Sequence, residues 1–181
     1  MKITSENTVA MLIDFQEKLV PAIYENETLI EETKKLIEGL NVLNCPMIFT
    51  QQYTKGLGMT VETLQNAYKD TFTYFDKTTF SCMDNEEIRT AVESLGKKNV
   101  IIAGMESHIC VMQTVVDLLK EGYQVYLVAD CIGSRTEFNK QIGLQRMMQE
   151  GAKITSLESV LFELANKAGT PEFKVISKLI K

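Results

Sequence analysis

Three residues of this sequence carry side chains that together could perform nucleophilic and acid–base chemistry: Cys110, Asp14 and Lys77. Cys110 comes after an apolar run at 100–103, which is typical of a buried strand, and near the start of a helical pattern. A thiol at a helix N-terminus lies near the positive end of the helix dipole and near unpaired backbone N–H groups, which favour the thiolate. This position predicts a reactive cysteine. A small buried apolar cysteine is the alternative.

Asp14 ends the predicted strand Thr8–Ile13, so its carboxylate is expected at the same edge of the sheet as Cys110. Ligands of open α/β folds bind at this carboxyl edge. A carboxylate beside a cysteine can serve as its base without a histidine, and the capping of a turn is the alternative role. Lys77 would hold a nearby thiolate and carboxylate ionised if it reached them, whereas a solvated surface position is the alternative for a lysine.

His108 is the one histidine in the chain, which excludes a multi-histidine metal site and limits any Cys-His or Ser-His chemistry to this residue. It lies two positions before Cys110, and side chains at this spacing need not face each other. We therefore favour a pocket-lining or packing role for His108 over that of a catalytic base. Asp130 is expected to make structural hydrogen bonds, and the other three cysteines are expected to be structural: Cys45, Cys82 and Cys131.

The composition favours a single globular domain over residues 1–181. A chain of 181 residues is long enough for one sizeable α/β core and too short for two, and 45% hydrophobic content is ordinary. The net charge of −5 argues against nucleic acid or an anionic membrane as a partner. No apolar run approaches the roughly 18 residues of a membrane span. With no signal region and no C-x-x-C pair among four cysteines, we expect free thiols in a cytoplasmic protein.

Strand-like and helix-like segments alternate along the chain, which predicts a parallel sheet wrapped by helices. Apolar runs predict strands at Thr8–Ile13, 47–50, 100–103, 125–129 and around Ile154. Apolar periodicity predicts the helices between them, among them Glu137–Gln149 and a closing helix with Thr170 as N-cap and Pro171 as its first residue. Residues 54–76 are expected to be irregular apart from one short helix. Five or six strands with helices on both faces follow from this pattern, but their order does not.

Four segments, in their order and spacing, resemble the isochorismatase-like cysteine hydrolases, a superfamily that includes nicotinamidases and N-carbamoylsarcosine amidohydrolases. The segments are Leu12-Ile13-Asp14-Phe15-Gln16, Thr50-Gln51-Gln52-Tyr53, Lys77-Thr78-Thr79-Phe80-Ser81 and Gly104-Met105-Glu106-Ser107-His108-Ile109-Cys110-Val111. The resemblance runs from the first strand to about Phe162. It is strongest for small isochorismatase-domain proteins of undefined substrate, which carry a phrase like Q-Y-x-K-G-L-G after the second strand.

This resemblance implies a fold and a set of roles. The family fold is a three-layer α/β/α structure, Rossmann-like, with a six-stranded parallel sheet, and its members often form dimers or larger assemblies. Cys110 matches the nucleophile, Asp14 the general base and acid, and Lys77 the third member of the triad. The family has a non-proline cis peptide before the nucleophile turn, here Met105–Glu106, which would aim the backbone N–H groups of Glu106 and Cys110 at an oxyanion. No cofactor is implied.

The chain departs from the nicotinamidases at Gln51 and Tyr53. Nicotinamidases carry a D-x-H motif there and further histidines that bind a metal beside the triad. The resemblance therefore supports neither a metal site nor nicotinamide as the substrate. We expect five side chains to line the substrate pocket: Gln16, Gln52, Tyr53, Phe80 and His108.

Hydrolysis of a small amide or a related C–N bond through a covalent thioester is the leading functional hypothesis. A vinyl-ether hydrolase is the alternative within the family, because isochorismatase itself cleaves a vinyl ether and need not use the cysteine. Two alternatives come from other classes: a non-catalytic binding or assembly protein that keeps the fold, and a redox role for Cys110. The sequence leaves open the substrate, the number of subunits and any contribution of a neighbouring subunit to the site.

Overall fold

A computed structural model describes residues 2–181, which form a six-stranded sheet in which every neighbouring pair of strands is parallel. The strands are β1 (Thr8–Ile13), β2 (Met47–Gln52), β3 (Phe75–Lys77), β4 (Asn99–Met105), β5 (Gln124–Gly133) and β6 (Lys153–Thr155). Their order across the sheet is β3-β2-β1-β4-β5-β6. Helices cover both faces, so the predicted three-layer α/β/α fold is confirmed.

The helices divide into two layers around this sheet. They are α1 (Asn26–Val42), α2 (Thr54–Leu57), α3 (Glu62–Ala67), α4 (Glu86–Ser94), α5 (Met112–Lys120), α6 (Glu137–Gln149), α7 (Leu157–Ala165) and α8 (Pro171–Leu179). α1, α3, α7 and α8 pack on one face, and α4, α5 and α6 pack on the other. β1 shows why both faces are apolar: Ala10 and Leu12 point into one layer, and Val9 and Met11 point into the other. Within residues 2–181, no helix is both long and apolar enough to cross a membrane.

The centre of the sheet is a topological switch point between β1 and β4. From β1 the chain proceeds outward to β3 on one side, and then returns to β4 and proceeds to β6 on the other. Folds of this kind bind their ligands in the crevice at the carboxyl ends of such a strand pair. β1 and β4 approach closely at Gly104, where an added Cβ would lie 2.7 Å from the carbonyl oxygen of Ile13. Asp14 follows β1 and Cys110 follows β4, so both residues lie at this crevice.

Several elements lie where the sequence pattern predicts them. β1 and α6 have the predicted bounds. The closing helix α8 begins at Pro171, and the Thr170 side chain caps it by accepting a hydrogen bond from the backbone N–H of Phe173. These elements are specified by local signals, namely an apolar run, a helical period and a capping residue.

β2 and β4 are longer than predicted by one or two residues at their ends, and two other strands differ more from the prediction. β5 continues to Gly133 instead of ending at 129, past an irregularity in its pairing with β4 between Ile102 and Gly104. β3 is not predicted by the apolar pattern, because a three-residue edge strand has no apolar run of its own. It forms because β2 offers a parallel partner, with Gln52 paired to Lys77.

Candidate active site

Asp14 and Lys77 form an ion pair that is almost completely removed from solvent. Lys77 Nζ lies 2.8 Å from Asp14 Oδ2, and the lysine and aspartate side chains are 0% and 1% exposed. Asp14 has a left-handed backbone conformation (φ 60°), and its Oδ1 accepts a hydrogen bond from the Thr50 hydroxyl at 2.8 Å. A buried ion pair contributes little net stability, because both charges lose their hydration. Its place at the ligand-binding edge points to a chemical role.

The ammonium group of Lys77 has four acceptors for its three N–H bonds. Besides Asp14, it donates to Gln52 Oε1 at 2.6 Å and to the carbonyl oxygens of Thr79 and Phe80 at 3.3 and 3.2 Å. Burial is the largest single effect on the pKa of Lys77 and lowers it. The Asp14 carboxylate, with smaller contributions from Cys82 and Cys110, raises the pKa by more in total, so the lysine stays charged. Lys77 and Asp14 are 63 positions apart, and the pairing of β3 with β2 brings them together.

Cys110 lies in a π-helical turn, Ser107–Val111, which we name the Cys110 turn; the cysteine is 7% exposed. Its Sγ lies 3.9 Å from Gln52 Oε1. Burial, with the Asp14 carboxylate as the next largest cause, raises the pKa of Cys110 to about 12, against the opposing effect of the Lys77 ammonium. The helix N-terminus is expected to favour the thiolate, but burial and the Asp14 carboxylate favour the neutral thiol and prevail. Cys110 carries its proton at neutral pH.

Hydrogen bonds through α5 tie the Cys110 turn to the segment that surrounds Lys77. Thr114 Oγ1 donates to the carbonyl oxygen of Cys110 at 2.7 Å and accepts from the backbone N–H of Cys82 at 2.9 Å. One helical turn later, Asp117 Oδ2 accepts from the Ser81 hydroxyl at 2.6 Å. The two segments that carry the thiol and the ammonium are thereby fixed to the same helix.

The loop after β5 and helix α6 hold the other side of the Cys110 turn. The hydroxyl oxygen of Ser134 lies 2.7 Å from Ser107 Oγ and 3.1 Å from His108 Nδ1, and it accepts from the Ser107 N–H at 3.1 Å. α6 makes its close approach at Gly143, where an added Cβ would lie 2.7 Å from the carbonyl carbon of Ser107. His108 is therefore engaged through Nδ1 in the support of this turn.

Glu106 connects β4 to the Cys110 turn, and the Met105–Glu106 peptide bond is cis. The Glu106 side chain is 5% exposed and pairs with Arg135, whose Nη2 and Nε lie 2.9 and 3.0 Å from Oε1. The backbone N–H of Arg135 donates to Oε2 at 3.3 Å. Glu106 therefore uses its side chain to hold the loop after β5 against the Cys110 turn.

Gln16 is fully buried and holds β2 to the loop that follows it. Its Nε2 donates to the carbonyl oxygens of Gln52 and Gly58 at 3.0 and 2.8 Å, and its Oε1 accepts from the Gln52 N–H at 2.6 Å. All of these partners are backbone groups. Gln16 therefore fixes the position of Gln52.

Tyr53 and Phe80 are exposed aromatic residues next to the buried pair, with 52% and 54% of their surfaces accessible. Tyr53 directly follows Gln52, and its ring lies against Gly56 in the space that a Cβ would occupy. The carbonyl oxygen of Phe80 accepts a hydrogen bond from Lys77 Nζ. The structure thus brings these two residues, with Gln16 and Gln52, to the edge of the sheet that carries Asp14.

The residues predicted to be structural have structural surroundings. Both carboxylate oxygens of Asp130 accept from the backbone N–H of Leu157, at 2.8 and 3.0 Å, at the start of α7. Cys45, Cys82 and Cys131 are unpaired and buried. No three His, Cys, Asp or Glu side chains among residues 2–181 lie close enough together to hold a metal ion.

Sequence reasoning did not identify four supporting residues of the site: Thr50, Thr114, Ser134 and Arg135. Thr50 could have been found, because it lies near the carboxyl end of a predicted strand beside β1. The other three are recognisable only from their long-range partners.

The chain resembles known proteins over almost its whole length. The Isochorismatase domain family matches residues 8–159. A secreted isochorismatase effector, Isc1, of Phytophthora sojae is 39% identical over 99% of this chain and 87% of its own length. The structure of MAR1 ribonuclease from Caenorhabditis elegans has a TM-score of 0.93 at 35% identity, covering 99% of this chain and 92% of its own.

A second solved structure is similar in fold and described as a hydrolase. The YcaC gene product of Escherichia coli, an octameric hydrolase of unknown specificity, has a TM-score of 0.87 at 26% identity and covers 92% of this chain and 83% of its own. The family match spans most of the chain, and a relative with 39% identity covers nearly all of it. This chain therefore belongs to the isochorismatase domain family of hydrolases.

Proposed function

We propose that this protein hydrolyses a small amide or a related C–N bond through a covalent thioester on Cys110, with Asp14 as general base and acid. The buried Asp14–Lys77 pair supports this proposal, because its carboxylate and ammonium are 2.8 Å apart and nearly dry, and both charges alter the pKa of the Cys110 thiol. Cys110 is also the most exposed of the four buried cysteines, at 7%. A binding scaffold would gain little stability from such a pair.

Acylation begins with a proton transfer, because a thiol with a pKa of about 12 provides almost no thiolate at neutral pH. Asp14 takes the proton as the Cys110 sulfur attacks the carbonyl carbon of the substrate. Lys77 keeps its contact with Asp14 and stabilises the negative charge that moves towards sulfur. Asp14 then gives the proton to the leaving nitrogen, the C–N bond breaks, and the acyl group stays on sulfur as a thioester.

Deacylation uses the same groups in the same order. Asp14 takes a proton from a water molecule as its oxygen adds to the thioester carbonyl. The C–S bond then breaks, a carboxylic acid leaves, and the Cys110 sulfur regains its proton from Asp14. The net reaction consumes one water and yields an acid and an amine.

Both steps pass through a tetrahedral oxyanion, which we assign to the backbone N–H groups of Glu106 and Cys110. Hydrogen bonds from Thr114 and to Ser134 hold this part of the backbone in place. Donors that are fixed before the reaction stabilise developing charge without reorganisation, and one such donor is typically worth about 2.7–4 kcal/mol.

The substrate is proposed to be a small molecule that contacts Tyr53, Phe80 and His108. Gln16 and Gln52 shape the same pocket, but their amides bond to neighbouring protein groups, which gives them a supporting role. The Caenorhabditis elegans neighbour is named a ribonuclease. The net charge of −5 disfavours a polyanion here, since nucleic-acid binding draws its affinity from basic residues.

We further propose that residues 1–181 form one domain and that copies of it form a homo-oligomer in the cytoplasm. α8 packs against α1 and α7, which supports a single unit. The Escherichia coli neighbour is octameric, and Phe138 is 73% exposed here and available for contacts between copies. Four unpaired cysteines suit a reducing compartment. Size-exclusion chromatography with light scattering gives the number of subunits.

The test is a screen of small amides for release of ammonia or amine. Cys110→Ser and Asp14→Asn should each lower kcat/KM by about 10³-fold or more, and rapid quenching should reveal the acyl mass on the Cys110 peptide. Cys45→Ser is the matched control, since Cys45 Sγ bonds to the carbonyl oxygen of Thr8 at the opposite end of β1. Undiminished amide hydrolysis by Cys110→Ser would exclude the covalent mechanism. Turnover of a vinyl ether alone, unchanged in Cys110→Ser, would establish the vinyl-ether alternative.

A further inference from the structure

The Gln52 side chain lies between the ammonium of Lys77 and the thiol of Cys110. Its Oε1 accepts from Lys77 Nζ at 2.6 Å and lies 3.9 Å from Cys110 Sγ, within reach of the S–H group. Its Nε2 donates to the carbonyl oxygen of Thr78 at 3.0 Å. A side chain that recognises a substrate directs a donor or acceptor at that substrate. Both polar atoms of the Gln52 amide are directed at the protein instead.

The main chain of Gln52 is held in place independently of the side-chain amide. The buried Gln16 side chain accepts from the Gln52 N–H at 2.6 Å and donates to the Gln52 carbonyl oxygen at 3.0 Å. The next residue, Tyr53, donates its N–H to the carbonyl oxygen of Lys77 at 2.8 Å. Both peptide groups around Gln52 are therefore anchored, and the scaffold determines where the amide oxygen lies.

We propose that Gln52 is a positioning residue, whose amide oxygen holds the Cys110 S–H and the Lys77 ammonium at one point and does not bind the substrate. This inference rests on the proposed cysteine hydrolase function. Lys77 is bonded to Gln52 Oε1 and to Asp14 Oδ2 at once, so Gln52 sets the distance of the ammonium from the sulfur. When Asp14 takes the thiol proton, Gln52 Oε1 loses the S–H bond and keeps the bond from Lys77.

Replacements of Gln52 have effects of predictable and opposite sign. An acceptor for the S–H stabilises the neutral thiol, so removing it in Gln52→Met favours the thiolate. Gln52→Glu places a second carboxylate beside the sulfur, which disfavours the thiolate by like-charge repulsion. If Gln52 merely supported the fold, Gln52→Met and Gln52→Glu would change the alkylation rate of Cys110 in the same direction.

The experiment measures iodoacetamide alkylation of each cysteine by mass spectrometry in the full-length protein between pH 7 and pH 10. Relative to the unmodified chain, Gln52→Met should alkylate Cys110 about three- to tenfold faster at a given pH, which corresponds to a pKa lower by about half a unit to one unit. Gln52→Glu should alkylate Cys110 more slowly. If Gln52→Met folds poorly, Gln52→Asn is used in its place. Its shorter side chain keeps an amide but moves the oxygen away from the sulfur, so it should also alkylate Cys110 faster than the unmodified chain.

Gln51→Met is the matched control, because Gln51 is the neighbouring buried residue of β2 and faces away from the thiol. Its Oε1 accepts from the Thr60 N–H at 2.7 Å, and its Nε2 donates to Thr54 Oγ1 at 2.8 Å. This variant should loosen the loop after β2 and leave the Cys110 alkylation rate unchanged. Equal rate changes in Gln51→Met and Gln52→Met, or changes of the same sign in the methionine and glutamate variants, would overturn the proposal.

Steady-state kinetics on an amide substrate give the second readout. A positioning role predicts that Gln52→Met lowers kcat and leaves KM nearly unchanged, whereas a rise in KM alone would identify Gln52 as a substrate contact. The alkylation readout needs no substrate. A failure of amide hydrolysis would therefore be recognised separately from a failure of the role assigned to Gln52.

Discussion

Replacing Gly143 by alanine tests whether α6 positions the Cys110 turn. Gly143 lies within α6, and an added Cβ would lie 2.7 Å from both the carbonyl carbon and the Oγ of Ser107 and 2.8 Å from its carbonyl oxygen. Two of these are backbone atoms of the turn itself, so a side-chain rotation does not relieve the clash. Restoring an ordinary contact of 3.4 Å requires the helix and the turn to separate by roughly 0.7 Å.

The size of this displacement sets the expected effect on catalysis. A misplacement of 1 Å in an active site can cost about 10²-fold in rate, so we expect kcat to fall by about 10- to 100-fold. Overpacking costs about 1–3 kcal/mol, and a glycine-to-alanine change inside a helix offsets about 0.5–1 kcal/mol of it. The free energy of unfolding should therefore fall by only about 1–2 kcal/mol.

The assay combines amide turnover, the Cys110 alkylation rate and urea unfolding in each variant. Gly39→Ala is the matched control, because it adds the same methyl group inside α1, where the clash at 2.6 Å is with the Leu161 side chain on the other face of the sheet. It should lower the free energy of unfolding without changing kcat. If Gly143→Ala keeps kcat within about twofold, or if both variants lose activity alike, α6 does not position the Cys110 turn.

Three further predictions follow from the buried groups of the site. Asp14→Asn should speed Cys110 alkylation while abolishing amide turnover, because the Asp14 carboxylate raises the pKa of Cys110 and is also the proposed base; slower alkylation would contradict this. Lys77→Met leaves the Asp14 carboxylate buried without its partner and should lower the free energy of unfolding by about 3–5 kcal/mol in urea titrations. Adding Asp14→Asn should recover part of that loss, and strictly additive losses would refute the coupling. Burial raises the pKa of Cys45 from 9.0 to about 12 and that of Cys82 from 9.0 to about 11. Because the unfolded chain therefore releases these two protons at lower pH than the folded chain, the free energy of unfolding should be full below about pH 9 and fall towards pH 12. Urea midpoints from pH 8 to pH 11 measure this fall, and Cys45→Ala should make it shallower; an unchanged slope would show that this thiol does not contribute.

Local pattern was enough to predict much of the architecture. β1 and α6 have the predicted bounds because an apolar run and a helical period are properties of neighbouring residues. The cap of α8 at Thr170 follows from two adjacent residues. Asp14 and Cys110 could be assigned to one edge because the strands of a parallel sheet have their carboxyl ends on the same side.

Strand order, the edge strand β3 and the partners within the site depend on contacts between distant parts of the chain. Lys77 reaches Asp14 across 63 positions only because β3 pairs with β2, and β3 has no apolar run that marks it in the sequence. The same holds for Arg135 with Glu106, which are 29 positions apart.

The protonation of Cys110 shows most clearly why some properties of the site depend on the tertiary structure. The sequence pattern predicts that Cys110 lies after a strand and before a helix, and the helix dipole alone favours a thiolate. The pKa of about 12 arises from burial and from the Asp14 carboxylate, which are consequences of packing. Sequence specifies which groups are present and on which edge they emerge, whereas desolvation and charge pairing act through space and are decided when the chain folds.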